Sequence, residues 1–360
     1  MNIRKDLENL HLPEVFSGKA EEFDARRAQI VDLLAKEEYG YLPDIPYSVD
    51  TEVIPSGRLL GGGTAENYVT KLTVHMNGKA HTFPLYCVIP TAVRPAPAIL
   101  LINFRGGVPD EYLPAEEIAD NGFAVFSLCY NDVTMDNGDF TDGLAGIFYN
   151  GRRRGLTDPG KISLWAWAAS RAIDYILSLS CIDHRNLAVA GHSRLGKTAL
   201  WTAANDPRVT MIFANESGCG GSSLARGVAD DAEHVWQICE AFPYWFCENY
   251  LKYVGHEDEM PFDQHFLLAC LAPRRVYIGL SEQDRWTGPD SSYLACIAAA
   301  PVFEKLGAIP AFTGVQDRYP VTDDWFHDGY IGFHMRSGDH FLSRRDWLGF
   351  MAYYHRYMVR

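Results

Sequence analysis

The chain has 360 residues, 47% of them hydrophobic, and a formal net charge of −14. That length allows one large domain or two small ones with a substantial core. A surface so acidic repels phosphate backbones and anionic membranes, which argues against nucleic-acid binding, and no apolar run approaches the about 18 residues that a membrane span needs.

The opening segment, MNIRKDLENLHLPEVF, has basic residues but no apolar stretch after them, so it does not read as a secretory signal. The expectation is a cytoplasmic protein, or a secreted one whose signal lies outside this sequence. EEFDARRAQIVDLLAKEEYG (21–40) carries apolar residues at helical spacing and ends on Gly40, which predicts an N-terminal helix. Two alternating runs, YVTKLTVHM and AHTFPLYCVI, flank Asn77-Gly78, a strong hairpin signal. After Pro97, short apolar strands at 98–104, 123–128, 187–191, 210–215 and 275–280 alternate with helical stretches. That alternation predicts a mostly parallel sheet with helices on both faces. The helix at 161–180 is apolar nearly all round and should be a buried crossover, with Arg171 in a structural ion pair. Residues 131–160 read as one long irregular segment that covers a site or moves. The expected organisation is an N-terminal helix and β-hairpin extension over 1–95 against an α/β domain over 96–360, together one compact unit. The eight cysteines form no C-x-x-C pair and sit mostly in apolar surroundings, a pattern of buried thiols and not of a disulfide frame or zinc site. Cys219 and Cys247 could still meet in space.

The octet GHSRLGKT (191–198) admits two readings. As G-x-x-x-x-G-K-[ST] it is a phosphate-binding loop. As a strand-to-helix corner it presents Ser193 as a nucleophile. The first reading wants a later strand ending in a magnesium-binding Asp, and the next strand ends in Asn-Glu. The second wants an acid and a histidine on loops after later strands, in that chain order. Glu216 in ANES, Asp284 in GLSEQDRW and His340 in SGDHF supply them. His340 is preferred over His334, which lies inside the apparent last strand; His192 and His265 read as structural hydrogen-bonding groups. Two strands beyond the elbow is the usual place for the acid, which favours Asp284, with Glu282 as fallback. Arg194 and Lys197 put two cations at a helix N-terminus, where the dipole gives them nothing. That points to an anion or a polarised carbonyl as their partner, and the FRGG loop (104–107) could add an N–H.

GHSRLGKTALW, ESGCGG, FPYWFCENY, PFDQHFLLACLAPRRVYIGLSEQDRW and SGDHF together resemble the glucuronoyl esterases, carbohydrate esterase family fifteen, in particular their bacterial branch. The resemblance runs from about residue 98 to the C-terminus, and EEYGYLP extends it into the N-terminal segment. It implies an α/β-hydrolase fold with no cofactor or metal, and hydrolysis of the ester between glucuronic acid on xylan and lignin alcohols. By resemblance Ser193 is the nucleophile, His340 the base, Glu216 and Asp284 the family's two alternative acids, and Arg194 the oxyanion support. Lys197, Glu233 and Trp286 are implied as sugar-binding residues. The implied partner is a small carbohydrate ester or xylo-oligosaccharide. An acetylxylan or other carbohydrate acetylesterase is the alternative enzyme, and a carbohydrate-binding hydrolase without activity the alternative outside catalysis.

Overall fold

The computed structural model describes residues 3–359. Helices α1 (Ile3–Asn9) and α2 (Phe23–Leu34) open the chain. α2 continues into a single π-helical turn, Ala35–Tyr39, and stops at Gly40. Gly40 has φ +83°, and a Cβ there would lie 2.2 Å from the Asp158 carbonyl oxygen, so only glycine closes this corner. An antiparallel meander follows: β1 (Tyr47–Leu60), β2 (Ala65–Met76) and β3 (Lys79–Pro90). Asn77 and Gly78, at φ +53° and +72°, make the β2–β3 turn that the dipeptide predicts. β1 has no counterpart in the sequence reading. It lies at the sheet edge with most residues exposed, so it carries no period-two pattern.

The remaining elements, in chain order, are β4 (Ala96–Asn103), α3 (Ala115–Asp120), β5 (Ala124–Cys129), α4 (Tyr130–Val133), α5 (Gly143–Tyr149), α6 (Lys161–Ser178), β6 (Ile182–His192), α7 (Arg194–Asn205), β7 (Met211–Asn215), α8 (Val235–Ala241), α9 (His265–Ala269), β8 (Arg275–Ser281), α10 (Pro289–Leu306), β9 (Trp325–Phe326), β10 (Ile331–Arg336) and α11 (Arg344–Tyr357). One ten-stranded sheet runs in the order β1-β2-β3-β5-β4-β6-β7-β8-β10-β9. β5, β4, β6, β7, β8 and β10 are parallel, and β3 joins them antiparallel through β5, so the N-terminal meander shares the central sheet. Every residue of β4, β5 and β7 is buried, as expected of strands covered on both faces. One face packs on residues of α6, α7, α9 and α10, the other on α3 and α11. Among the described residues no helix is long and apolar enough to cross a membrane.

Segment 131–160 is less irregular than expected, since it holds α5 and most of α4. The cause is glycine. A Cβ on Gly143 would lie 2.4 Å from the Val133 oxygen, and one on Gly146 would lie 2.1 Å from the Thr141 oxygen. Close backbone approach requires glycines that mask the helix in the sequence. Arg171 pairs with Asp174 and lies over the rings of Tyr47 and Trp167, in the structural role expected. All eight cysteines are free thiols, including Cys219 and Cys247.

Candidate active site

The octet folds as a corner. β6 ends at His192 and α7 begins at Arg194, three residues before the Lys197 start that a phosphate-binding loop requires. Ser193 between them has φ +57° and ψ −130°, a strained conformation for a residue with a Cβ. Its N–H donates to the Asn215 oxygen at 2.9 Å, tying the corner to the end of β7. The two glycines of the motif have separate steric causes. A Cβ on Gly191 would lie 2.0 Å from the Leu195 oxygen, and one on Gly196 would lie 2.9 Å from the Ser217 Cβ. The α7 N-terminus therefore sits against both its own strand and the next, and the tight spot falls at position 196 and not at 195.

His340 follows β10 on the loop that leads into α11, whose N-cap is Ser343. Its Nδ1 bonds Asp284 Oδ2 at 2.6 Å and lies 3.2 Å from Glu216 Oε2. Asp284 follows β8, Glu216 follows β7, and both carboxylates are buried. The His340 ring centroid is 4.4 Å from that of His192, the residue before Ser193. Burial disfavours the His340 imidazolium, but hydrogen bonds and charge from Asp284 and Glu216 outweigh it and raise the pKa to about 9. For Asp284, burial is outweighed by His340 and by the Thr287 hydroxyl at 2.8 Å, so its carboxyl sits below the usual range. For Glu216, burial wins and the carboxyl is raised.

The two acids have different commitments. Glu216, itself at φ +46°, accepts from Arg336 Nη2 at 2.9 Å and from the Phe341 N–H at 2.8 Å. Arg336 also pairs with buried Asp346, whose other partners are His334 Nε2 at 2.7 Å and Ser343. His334 is thus a fully buried structural group, as its strand position predicts. His192 bonds Asn215 Oδ1 at 2.6 Å, and burial holds its pKa down to about 3. His265 is buried against the Pro13 oxygen. Glu282, the fallback acid, is exposed and accepts from Thr322. Ligand atoms of His192, Glu216 and His340 lie within 4.8 Å of one another, a spacing a metal ion could use. The donor chemistry does not suit one, because Glu216 is taken by Arg336 and the Phe341 N–H, His340 Nδ1 by Asp284 and His192 Nδ1 by Asn215, which leaves His192 Nε2 without a partner among the described residues.

The implied sugar-binding residues also come together. Lys197 Nζ is buried, donates to the Ser217 oxygen at 2.6 Å and lies 4.0 Å from Glu233 Oε2. Burial lowers the Lys197 pKa and raises that of Glu233. The Glu233 N–H donates to the Trp286 oxygen at 2.8 Å, and the Trp286 side chain is about half exposed beside it. Arg194 pairs with Asp136 from the 131–160 segment and lies 4.6 Å over the Trp245 ring, which is stacked on Phe242. The Trp245 indole N–H donates to the other Asp136 oxygen at 2.6 Å. Arg194 Nε is buried without an acceptor among the described residues. In the FRGG loop, the Phe104 N–H is taken by Asn103 Oδ1 at 2.8 Å, and Arg105 turns to Asp110 and Glu111.

The family model for glucuronyl esterase of fungi matches residues 72–307. The carbohydrate esterase MZ0003 of an unknown prokaryotic organism is 30% identical over 90% of this chain and 82% of its own. The chain belongs to the glucuronoyl esterase family. A 4-O-methyl-glucuronoyl methylesterase 1 of Phanerochaete chrysosporium is 32% identical over 79% of this chain, which spans 58% of that protein. A solved glucuronoyl esterase from Solibacter usitatus superposes with a TM-score of 0.86 at 29% identity, covering 96% of this chain and 97% of that one. The architecture is accordingly an α/β-hydrolase fold.

Within this glucuronoyl esterase framework, three site contributors escape the sequence reading. Asp136 and Trp245, which hold the Arg194 guanidinium, lie 58 and 51 residues away from it in the chain. Arg336 lies in a fully buried strand and reads as a core position. A buried arginine is most often paired with an anion, which is the signal its sequence position carries.

Proposed function

We propose that the protein is a serine esterase that hydrolyses esters of glucuronic acid, with Ser193 as nucleophile. The observation that carries this is the strained Ser193 corner with His340 bonded to Asp284 at 2.6 Å, beside the Lys197–Glu233–Trp286 cluster. A hydroxyl is a weak nucleophile at neutral pH and needs a base to take its proton. His340 takes the Ser193 proton on Nε2, while Asp284 fixes the ring by holding Nδ1–H. Ser193 Oγ adds to the ester carbonyl, and the proton passes from His340 to the departing alcohol. Water, deprotonated by the same ring, then releases the glucuronate from Ser193. Arg194 opens α7, so its N–H has no acceptor within the helix and is available to the oxyanion. Its guanidinium, held by Asp136 directly after Ser193, adds positive charge beside the corner. Lys197, Glu233 and Trp286 receive the sugar, the indole offering an apolar face and the ion pair offering hydrogen bonds to hydroxyls. The partner is thus a small glucuronate ester or the same group on a xylo-oligosaccharide.

Two expected outcomes follow from this assignment. His340 must be neutral to act as base, and its pKa is raised to about 9. kcat should therefore climb about tenfold per pH unit below pH 9 and level off above it. A pH–rate profile, with Ser193→Ala as the blank for alkaline hydrolysis, checks this; a plateau already reached at pH 7 contradicts it. Arg194→Ala should lower kcat by about 10²–10³ with a smaller change in KM, as expected for a donor that serves the oxyanion. Steady-state kinetics test it, and a change confined to KM would assign Arg194 to substrate binding instead.

The deciding assay compares benzyl glucuronate with an acetylated xylo-oligosaccharide, again with Ser193→Ala as control. Turnover of the glucuronate ester that the variant loses supports the proposal. Acetate release alone keeps the triad and moves the activity to deacetylation. Inactivity on both, with saccharide still bound, would leave a carbohydrate-binding hydrolase fold.

A further inference from the structure

Beneath the turn that carries Glu216 lies a second buried carboxyl with a different environment. Glu37 and Glu38 are consecutive on the π-helical turn, and both are buried. Glu37 is an ordinary anion: burial is outweighed by Lys252 and the Tyr253 hydroxyl, which bond it and lower its pKa. Glu38 is fully buried, and among the described residues no cation bonds it. Its Oε1 accepts from Gln264 Nε2 at 2.9 Å. Among the described residues its Oε2 has no partner, and neither has Gln264 Oε1, the other oxygen of the same pair. Two unpaired buried acceptors, one on each member of a carboxyl–amide pair, are costly as they stand. A single proton on Oε2 changes that, because the acid O–H can donate to the amide oxygen while the amide N–H donates to the acid oxygen.

We infer that Glu38 is a neutral carboxylic acid, closed in a two-hydrogen-bond ring with Gln264, and that it acts as a positioning residue for Lys197 and the glycine turn after Glu216. The placement carries the second part: Lys197 Nζ donates to the Ser217 oxygen at 2.6 Å, and the turn that starts at Ser217 comes against Glu38 at Gly220. A Cβ on Gly220 would lie 3.4 Å from Glu38 Oε1, and the Gly220 oxygen accepts from Tyr39, the next residue, at 2.8 Å. Burial and the charge of Asp263 oppose ionisation of Glu38, while hydrogen bonds from Gln264 and Tyr39 and the charge of Lys197 favour it. Tyr39, Tyr250, Cys219, Cys239 and Cys247 also face it, and it disfavours their ionisation. Burial is the largest influence and raises the Glu38 pKa to about 8. While Glu38 is neutral, Glu233 is the anion paired with Lys197. Once ionised, Glu38 sets two acceptors against each other and competes for Lys197.

The first measurement is an infrared difference between the wild type and Glu38→Gln at pH 6. A protonated-carboxyl C=O band present only in the wild type is expected, and its absence overturns the inference. Gln264→Ala serves if the first variant does not fold: the band should persist and shift, and an unchanged band is the contrary result. The second measurement is stability against pH. The folded pKa lies above the unfolded value of 4.5, so the folded state keeps a proton that the unfolded state loses. Stability falls as pH rises between those values, and the wild-type ratio of folded to unfolded, relative to Glu38→Gln, should drop about tenfold per pH unit. A pH-independent difference overturns the neutral acid. The positioning role rests on the glucuronate-ester reading and is tested apart from it. Above pH 8 the wild-type KM for benzyl glucuronate should rise while that of Glu38→Gln stays level, and equal KM values throughout would remove the link to Lys197. The infrared and stability readouts need no substrate, so they stand whichever ester the site cleaves.

Discussion

Ser193→Ala is expected to lower kcat by about five to six orders of magnitude, the scale on which a serine hydrolase loses its nucleophile. Without Oγ there is no atom to form the acyl-enzyme, and the histidine and acids have nothing to activate. The oxyanion donors and binding residues left behind still hold the ester and polarise its carbonyl, so hydrolysis above the uncatalysed rate by about 10³–10⁴ is expected to persist. The fold should be untouched by this change. Alanine also carries a Cβ, so it meets the same strain at φ +57° that serine does. Ser193→Gly removes that strain and should be equally inactive yet more stable, by about 1 kcal/mol after the entropy that glycine costs in the unfolded chain. Kinetics of alcohol release, paired with denaturant unfolding of both variants, separates the two effects. Activity above about 1% of wild type in the alanine variant would mean that Ser193 is not the nucleophile.

How much of this site the sequence discloses depends on whether a residue acts along the chain or across it. Strand–helix alternation after Pro97 gives the parallel sheet, because strands buried on both faces must be apolar throughout. Ser193, Glu216, Asp284 and His340 each follow a strand, so a rule about loops at strand ends finds all four. His340 could be separated from His334 on the same ground. What escapes is whatever acts across the fold. Asp136 reaches Arg194 from a segment whose glycines hide its helices. Arg336 occupies a position where β-strand alternation expects a core side chain, and its charge is balanced by Asp346 on α11 and Glu216 after β7. β1 escapes for another reason: an exposed edge strand leaves no apolar period to detect. The displaced second glycine of the elbow is explained only by contact, since Gly196 meets Ser217 of the neighbouring strand end.

The two acids should separate sharply on substitution. Asp284→Asn is expected to lower kcat by about three orders of magnitude, short of the about four that follow loss of a sole orienting acid. Asp284 makes the shorter bond to His340 Nδ1, 2.6 Å against 3.2 Å from Glu216. Its other bond is to Thr287, and among the described residues no cation shares it, so its charge is available to an imidazolium. Glu216 divides its charge between Arg336 and the Phe341 N–H, which leaves it a backup. Glu216→Gln should therefore cost only about tenfold in kcat, but about 1.5–3 kcal/mol in stability, because a charge-assisted bond to a buried guanidinium is broken. Both substitutions remove an anion from beside His340, so each should lower the alkaline pKa of the pH–rate profile. The double variant should lose more than either, since neither carboxylate then remains to hold the Nδ1 proton. If Glu216→Gln instead costs the three orders and Asp284→Asn the tenfold, the roles are exchanged, and the Arg336–Asp346 pair behind Glu216 becomes the part that orients the ring.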